Sequence, residues 1–169
     1  MLAKAYDATA EVLDQVTDWS APSPCQGWTV HDVATHLVNV MCTFAAAVDG
    51  GPDSYSPDSH DVAGGYRKAA ARCLAVFEDP AVLAASHPFP LGPTPGSVIA
   101  QISVSESLVH GWDVARGAGV PYAPAQEVVA AMLVASEENP PPEGLFGPPV
   151  PPSSDDPLTV LLARLGRAA

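Results

Sequence analysis

Apolar positions recur at helical spacing along most of the chain, and segments rich in Pro, Gly and Ser separate the repeats. The first such stretch runs from about Ala3 to Asp18 and sets Leu2, Tyr6, Leu13 and Val16 near one face. Residues 20–27 then read as a loop. Thr29 has the character of an N-cap, with Asp32 three residues on as a variant of the capping box. A second helix is predicted from Val30 to about Asp49, striped by Val33, Leu37, Val40, Met41, Phe44 and Val48. His36 falls between Val33 and Val40 and points inward, whereas His31 lies well around the helix and reads as solvated.

After a long loop over residues 50–59, a third helix is expected from about Asp61 to Glu78, using Val62, Tyr66, Ala69, Cys73, Val76 and Phe77. Residues 86–96 carry four prolines and are excluded from regular helix, leaving an irregular or short extended connection. Thr94 and Pro95 suit the cap and first position of the next helix, whose central part is Gln101 to Arg116. Its inward positions are Ile99, Ile102, Val109 and Val114, and Gly117, Gly119 and Pro121 end it. A further helix, Pro124 to Glu138, carries Val128, Val129, Met132 and Leu133. The Pro-rich residues 139–157 must lie extended, either as a ligand for a proline-binding domain or, preferably, as a strap anchored by Leu145, Phe146 and Val150. A last short helix, Leu158 to Leu165, packs Leu161, Leu162 and Leu165. The pattern predicts an all-α protein: an antiparallel four-helix bundle with extra terminal helices and a C-terminal strap, in one domain over residues 1–169.

Composition narrows the function classes. A net charge of −12 and a pI near 4.4 exclude a basic nucleic-acid surface and adsorption to anionic membranes. No apolar run approaches the roughly 18 residues of a membrane span. The opening residues form an acidic amphipathic helix rather than a signal peptide, so a cytoplasmic protein is expected. The three cysteines form no C-x-x-C pair and suggest neither a disulfide framework nor a thiolate zinc site. Cys42 and Cys73 read as small core residues, and Cys25, in a loop, as a packing residue or a reactive thiol.

Glu106 and His110 lie one turn apart on the inward face of the Gln101–Arg116 helix. A carboxylate among core residues must be neutralised, paired or bound to metal, and the chain offers seven Lys and Arg against nineteen Asp and Glu. Taken alone, the pair also fits an exposed Glu and a satisfied core His. His36 supplies a third inward donor from a facing helix. Two His and one Glu leave a coordination position open, as in catalytic rather than structural zinc sites, and the same set suits Fe2+ or Ni2+. His60 and His87 lie in loops. Asp113 is a helper of His110 or a solvated helix residue. Arg116 either orients a cofactor or satisfies the last carbonyls of its helix, and Trp28 and Trp112 line the pocket or pack in the core.

The segments CQGWTVHDVATHLV (Cys25 to Val38) and ESLVHGWDVARGAG (Glu106 to Gly119) resemble the paired signatures of the mycothiol-dependent maleylpyruvate isomerase N-terminal domain, a branch of the DinB-like four-helix bundles. The FGPPV and LLARLGR segments of the tail resemble an actinobacterial branch. The resemblance implies metal ligands at His36, Glu106 and His110, a divalent ion, usually zinc, and mycothiol or a similar small thiol as cofactor. The family's isomerase carries an additional C-terminal domain that this sequence is too short to include. The implied activity is that of a thiol S-transferase or isomerase on a small electrophilic substrate, with a non-catalytic metal-binding or regulatory module as the alternative and an iron oxygenase as a third, disfavoured reading. A metal-held thiol would ionise at neutral pH, with Asp113 and Arg116 in support. The implied partners are the thiol and its substrate, with no nucleic acid and no membrane; a homodimer is compatible with this reading.

Overall fold

The computed structural model describes residues 1–55, 61–90, 92–138, 140, 144 and 146–169. The elements run α1 (Leu2–Gln15), α2 (Val30–Asp49), α3 (Val62–Phe77), α4 (Pro80–Ala84), β1 (Ser86–His87), β2 (Thr94–Pro95), α5 (Gly96–Ala118), α6 (Gln126–Glu138) and α7 (Pro157–Arg164). The bundle consists of α1, α2, α3 and α5, with α2 against α3 and α5, and α1 against α5 and α3. α6 and α7 pack on each other, and α6 also touches α5. No helix is long and apolar enough to cross a membrane among the described residues.

The helix that carries the site is also the one most enclosed. α5 buries Ile99, Ala100, Val104, Leu108, Val109, Val114 and Ala115 together with the polar Ser103, Glu106, Ser107, His110 and Asp113. Hydrogen bonds tie this polar content to the neighbouring helices. Tyr6 meets Ser103 at 2.6 Å, Tyr66 meets Ser107 at 3.0 Å, and the Thr9 hydroxyl donates to the Ser107 carbonyl at 2.8 Å. The Tyr6, Thr9, Tyr66, Ser103 and Ser107 hydroxyls thus have close polar neighbours in the low-dielectric interior. α2 is fixed at both ends. The Thr29–Asp32 capping box forms as expected, and Gly50 closes the helix in the left-handed region at φ +67°, its N–H bonding the Ala46 carbonyl.

Several boundaries differ from the sequence reading. α1 stops at Gln15, where Val16 turns extended. Thr94 is not the cap of α5, because residues 94–95 pair antiparallel with residues 86–87 and the Thr94 hydroxyl donates to the Gly92 carbonyl. α5 starts instead at Gly96, whose N–H bonds the Ala85 carbonyl, and a Cβ there would lie 2.2 Å from the Val82 carbonyl oxygen. The short α4, capped by Asp79, has too few residues for a helical period to show in sequence. Val40, Val48, Val76, Ile102 and Leu133 are half-buried rather than core. In the C-terminal arm, Phe146 is half-buried and Val150 donates to the Ala163 carbonyl at 2.9 Å, which ties the arm to α7. His60 and Leu145 lie outside the described residues.

Gly111 sets how closely α1 and Tyr122 approach α5: a Cβ would sit 2.5 Å from the Thr9 hydroxyl and 2.9 Å from the Tyr122 hydroxyl. Alanine gains about 1 kcal/mol of helix propensity over glycine, but overpacking of this kind costs about 1–3 kcal/mol. Gly111→Ala should therefore give a net loss of stability, read as a lower denaturation midpoint in urea; a rise would show that the helices separate freely here.

Candidate metal centre

Three donor atoms converge where α2 faces α5. Glu106 Oε2 lies 3.3 Å from His36 Nε2 and 3.3 Å from His110 Nε2. The ligand atoms of the three residues lie within 4.8 Å of one another. Helix geometry accounts for the pair on α5, and the capping box that fixes the first turn of α2 sets the phase that turns His36 toward it. The Glu106 side chain is 5% exposed and that of His36 30%, so the site is closed from below and open to water on the α2 side.

The electrostatics follow from this burial. Desolvation works to raise the Glu106 pKa, but the hydrogen bonds and charges of His110 and His36 overcome it and hold the carboxyl at about 2. For His110, desolvation works against the charged ring, yet Asp113, Cys25 and Glu106 raise its pKa well above the ordinary imidazole value. The His36 and His110 rings stand edge to face with centres 4.9 Å apart, and Trp28 lies edge-on to His36 at 5.3 Å.

Behind His110 stands a second layer of charge. Asp113 Oδ2 accepts from His110 Nδ1 at 2.9 Å, from Arg167 Nη2 at 2.8 Å and from the Cys25 thiol at 3.2 Å, while its Oδ1 accepts from Arg167 Nε at 2.9 Å. Burial works to raise Asp113, but the bonds from His110 and Arg167 hold it below the usual carboxylate range. A proton on Nδ1, fixed by Asp113, leaves Nε2 as the ring's donor atom toward Glu106 and His36. The three residues therefore fit a divalent ion: two imidazoles, one buried carboxylate, and a partner that sets the tautomer. Cys25, His110 and Asp113 form a second group of closely spaced donor atoms, but there the Arg167 guanidinium already supplies the positive charge.

Asp113 thus supports His110, as one of its two sequence readings had it. Arg116 does not join the site. It is exposed on the last turn of α5, forms no side-chain hydrogen bond among the described residues, and fits the role of a cation at a helix C-terminus. Arg167, unnoticed in the sequence, takes the place beside Asp113; the only signal was that cations are scarce and one follows the last apolar helix. Trp28 is exposed at the rim and Trp112 half-buried against the core. His31 is exposed as expected, and His87 bonds the Val82 carbonyl away from the site.

Two predictions follow from these bonds. One divalent ion per chain should bind, with occupancy falling sharply in His36→Ala and His110→Ala. Affinity should rise by up to about tenfold per pH unit while His110 remains protonated, because the ion must displace that proton; unchanged metal content in both variants would refute the ligand set. Arg167→Met should destabilise the fold by about 3 kcal/mol at neutral pH by leaving His110, already shared with Glu106, to compensate the buried Asp113 charge. The lowered Asp113 pKa adds stability above the ordinary carboxylate value of about 4 and loses it on acidification. The gap between wild type and variant, measured by urea denaturation, should therefore close as the pH falls below that value.

Residues 2–72 match the family described as mycothiol maleylpyruvate isomerase N-terminal domain. Uncharacterized proteins from two strains of Mycobacterium tuberculosis are each 32% identical over 120 residues, covering 69% of this chain and 64% of their own length. The matched stretch thus spans less than two thirds of those relatives. Among solved structures, the fold is similar to that of a mycothiol-dependent maleylpyruvate isomerase, at 17% identity and a TM-score of 0.55, over 80% of this chain and 67% of that one. The family match thus covers α1, α2 and most of α3, and the all-α bundle as a whole is similar in fold to that of the mycothiol-dependent maleylpyruvate isomerase.

Proposed function

We propose that the chain is a metal- and thiol-dependent enzyme, an S-transferase or isomerase acting on a small electrophilic substrate with a mycothiol-like thiol as cofactor. The observation that carries this reading is the convergence of His36 Nε2, Glu106 Oε2 and His110 Nε2 at a site open on the α2 side. The family match, named for a mycothiol-dependent isomerase, supports the choice of thiol. A bound divalent ion, zinc in the first instance with Fe2+ or Ni2+ as substitutes, would supply the positive charge that favours thiolate over thiol at neutral pH. A cytoplasmic location goes with this reading, since small thiols are kept reduced there.

The chain's own residues prepare the site. Glu106 is anionic at all working pH values and brings one negative charge between two imidazoles. Asp113 orients His110, and Arg167 fixes Asp113 through two nitrogens. Cys25 donates its thiol proton to Asp113, a group that already accepts from His110 and Arg167, so its geometry is that of a positioning contact rather than a free nucleophile.

Initial rates of conjugation of a thiol-reactive electrophile, measured against thiol concentration with and without metal, test the reading. Glu106→Gln keeps the shape but removes the charge, and should lower the thiol-dependent rate by about 100-fold or more, given that even indirect partners of metal ligands cost 10–100-fold. Cys25→Ser should keep a thiol- and metal-dependent rate of the wild-type order. A rate that follows Cys25 and ignores metal would refute the proposal and leave a non-catalytic metal site.

A further inference from the structure

Trp28 is left in contact with water, 40% exposed, beside the candidate metal centre. A ring left 40% exposed forgoes part of the about 1.5–3 kcal/mol that full burial of a large apolar side chain is worth. Slack in the chain is not the cause. The Trp28 N–H donates to the Cys25 carbonyl at 3.0 Å, closing a turn whose third residue, Gly27, has φ +79°, the left-handed conformation that such a turn asks of glycine. The Trp28 carbonyl accepts from the Ser23 N–H at 3.0 Å and the Ser23 hydroxyl at 2.8 Å. The next residue, Thr29, is the N-cap of α2. The backbone on both sides is therefore anchored, and the indole is held edge-on to His36 with ring centres 5.3 Å apart. A rigid aromatic ring presented to solvent beside an open site loses little entropy on meeting a ligand.

We propose that Trp28 is the platform for the sugar ring of a glycosylated low-molecular-weight thiol, and so the residue that selects this class of thiol. The proposal rests on the metal–thiol reading given above. In a thiol whose cysteine is amide-linked to an amino sugar, five bonds separate the sulfur from the sugar ring, a reach of about 6 Å. The Trp28 ring borders that of His36, one of the three donor residues, so a ring carried that far from a metal-held sulfur comes beside the indole. The apolar C–H face of a pyranose packs on an indole, and aromatic rings are the usual lining of small-molecule sites. Charge points the same way. A chain of net charge −12 disfavours thiols that carry several carboxylates and favours a neutral, hydroxylated carrier.

The test is calorimetric titration of the zinc-loaded full chain with mycothiol, as the sugar-linked thiol, and with N-acetylcysteine, which lacks the sugar. Wild type should bind mycothiol at least tenfold more tightly. In Trp28→Ala the ratio of the two affinities should collapse toward one, and in Trp28→Phe it should fall between; because the ratio is taken on one protein, a change in zinc content cancels. Saturation-transfer NMR on wild type alone, in which the indole should saturate the sugar C–H protons, keeps the proposal testable if a variant fails to fold. Metal-dependent binding of N-acetylcysteine with no preference for mycothiol, a ratio that survives Trp28→Ala, or absent transfer to the sugar protons would overturn the role of Trp28 and leave the metal–thiol reading intact. Failure of wild type to bind either thiol would overturn both.

Discussion

The constraint on which this site depends is the burial of one carboxylate, Glu106, between two imidazoles from different helices. An unpaired buried charge is among the most expensive features a core can contain. Here the cost is offset because His36 and His110 both point their Nε2 atoms at Oε2. Meeting that demand requires α2 to face α5 with His36 turned toward Glu106, an orientation that the apolar packing of both helices also holds. The capping box of α2, the tyrosine and serine hydroxyl pairs of α5 and the close approach allowed by Gly111 all serve the same placement.

A second arrangement of charge supports the first. His110 lies between Glu106 at Nε2 and Asp113 at Nδ1, and Arg167 compensates Asp113 from the far end of the chain. The sequence C-terminal to α7 is thus coupled to the centre of the bundle. Alternating negative and positive groups, Glu106, His110, Asp113 and Arg167, let a strongly acidic chain keep two carboxylates in its interior.

Most of the bundle and the three donor residues were legible in the sequence. α2 has the predicted bounds because its capping box and its terminal glycine are both local signals. His36, Glu106 and His110 stood out because polar residues interrupted otherwise apolar helical faces. What was not legible depended on distance or on brevity. Arg167 reaches Asp113 across 54 positions, and no local pattern announces such a pairing. The paired residues 86–87 and 94–95 displaced Thr94 from its expected cap through backbone bonds that sequence periodicity does not reveal. The placement of Cys25 against Asp113 arose in the same way, from a loop folded over the end of α5.

The central claim is that these three side chains hold a divalent ion with room for a thiol. X-ray absorption on the zinc-loaded protein tests it most directly, because sulfur and nitrogen or oxygen ligands are resolved by distance. The account predicts imidazole and carboxylate scatterers alone before thiol is added, and one sulfur at about 2.3 Å afterwards. A sulfur present before addition would make Cys25 a ligand, and no sulfur at saturating thiol would show that the metal does not bind the cofactor; either result would contradict the account.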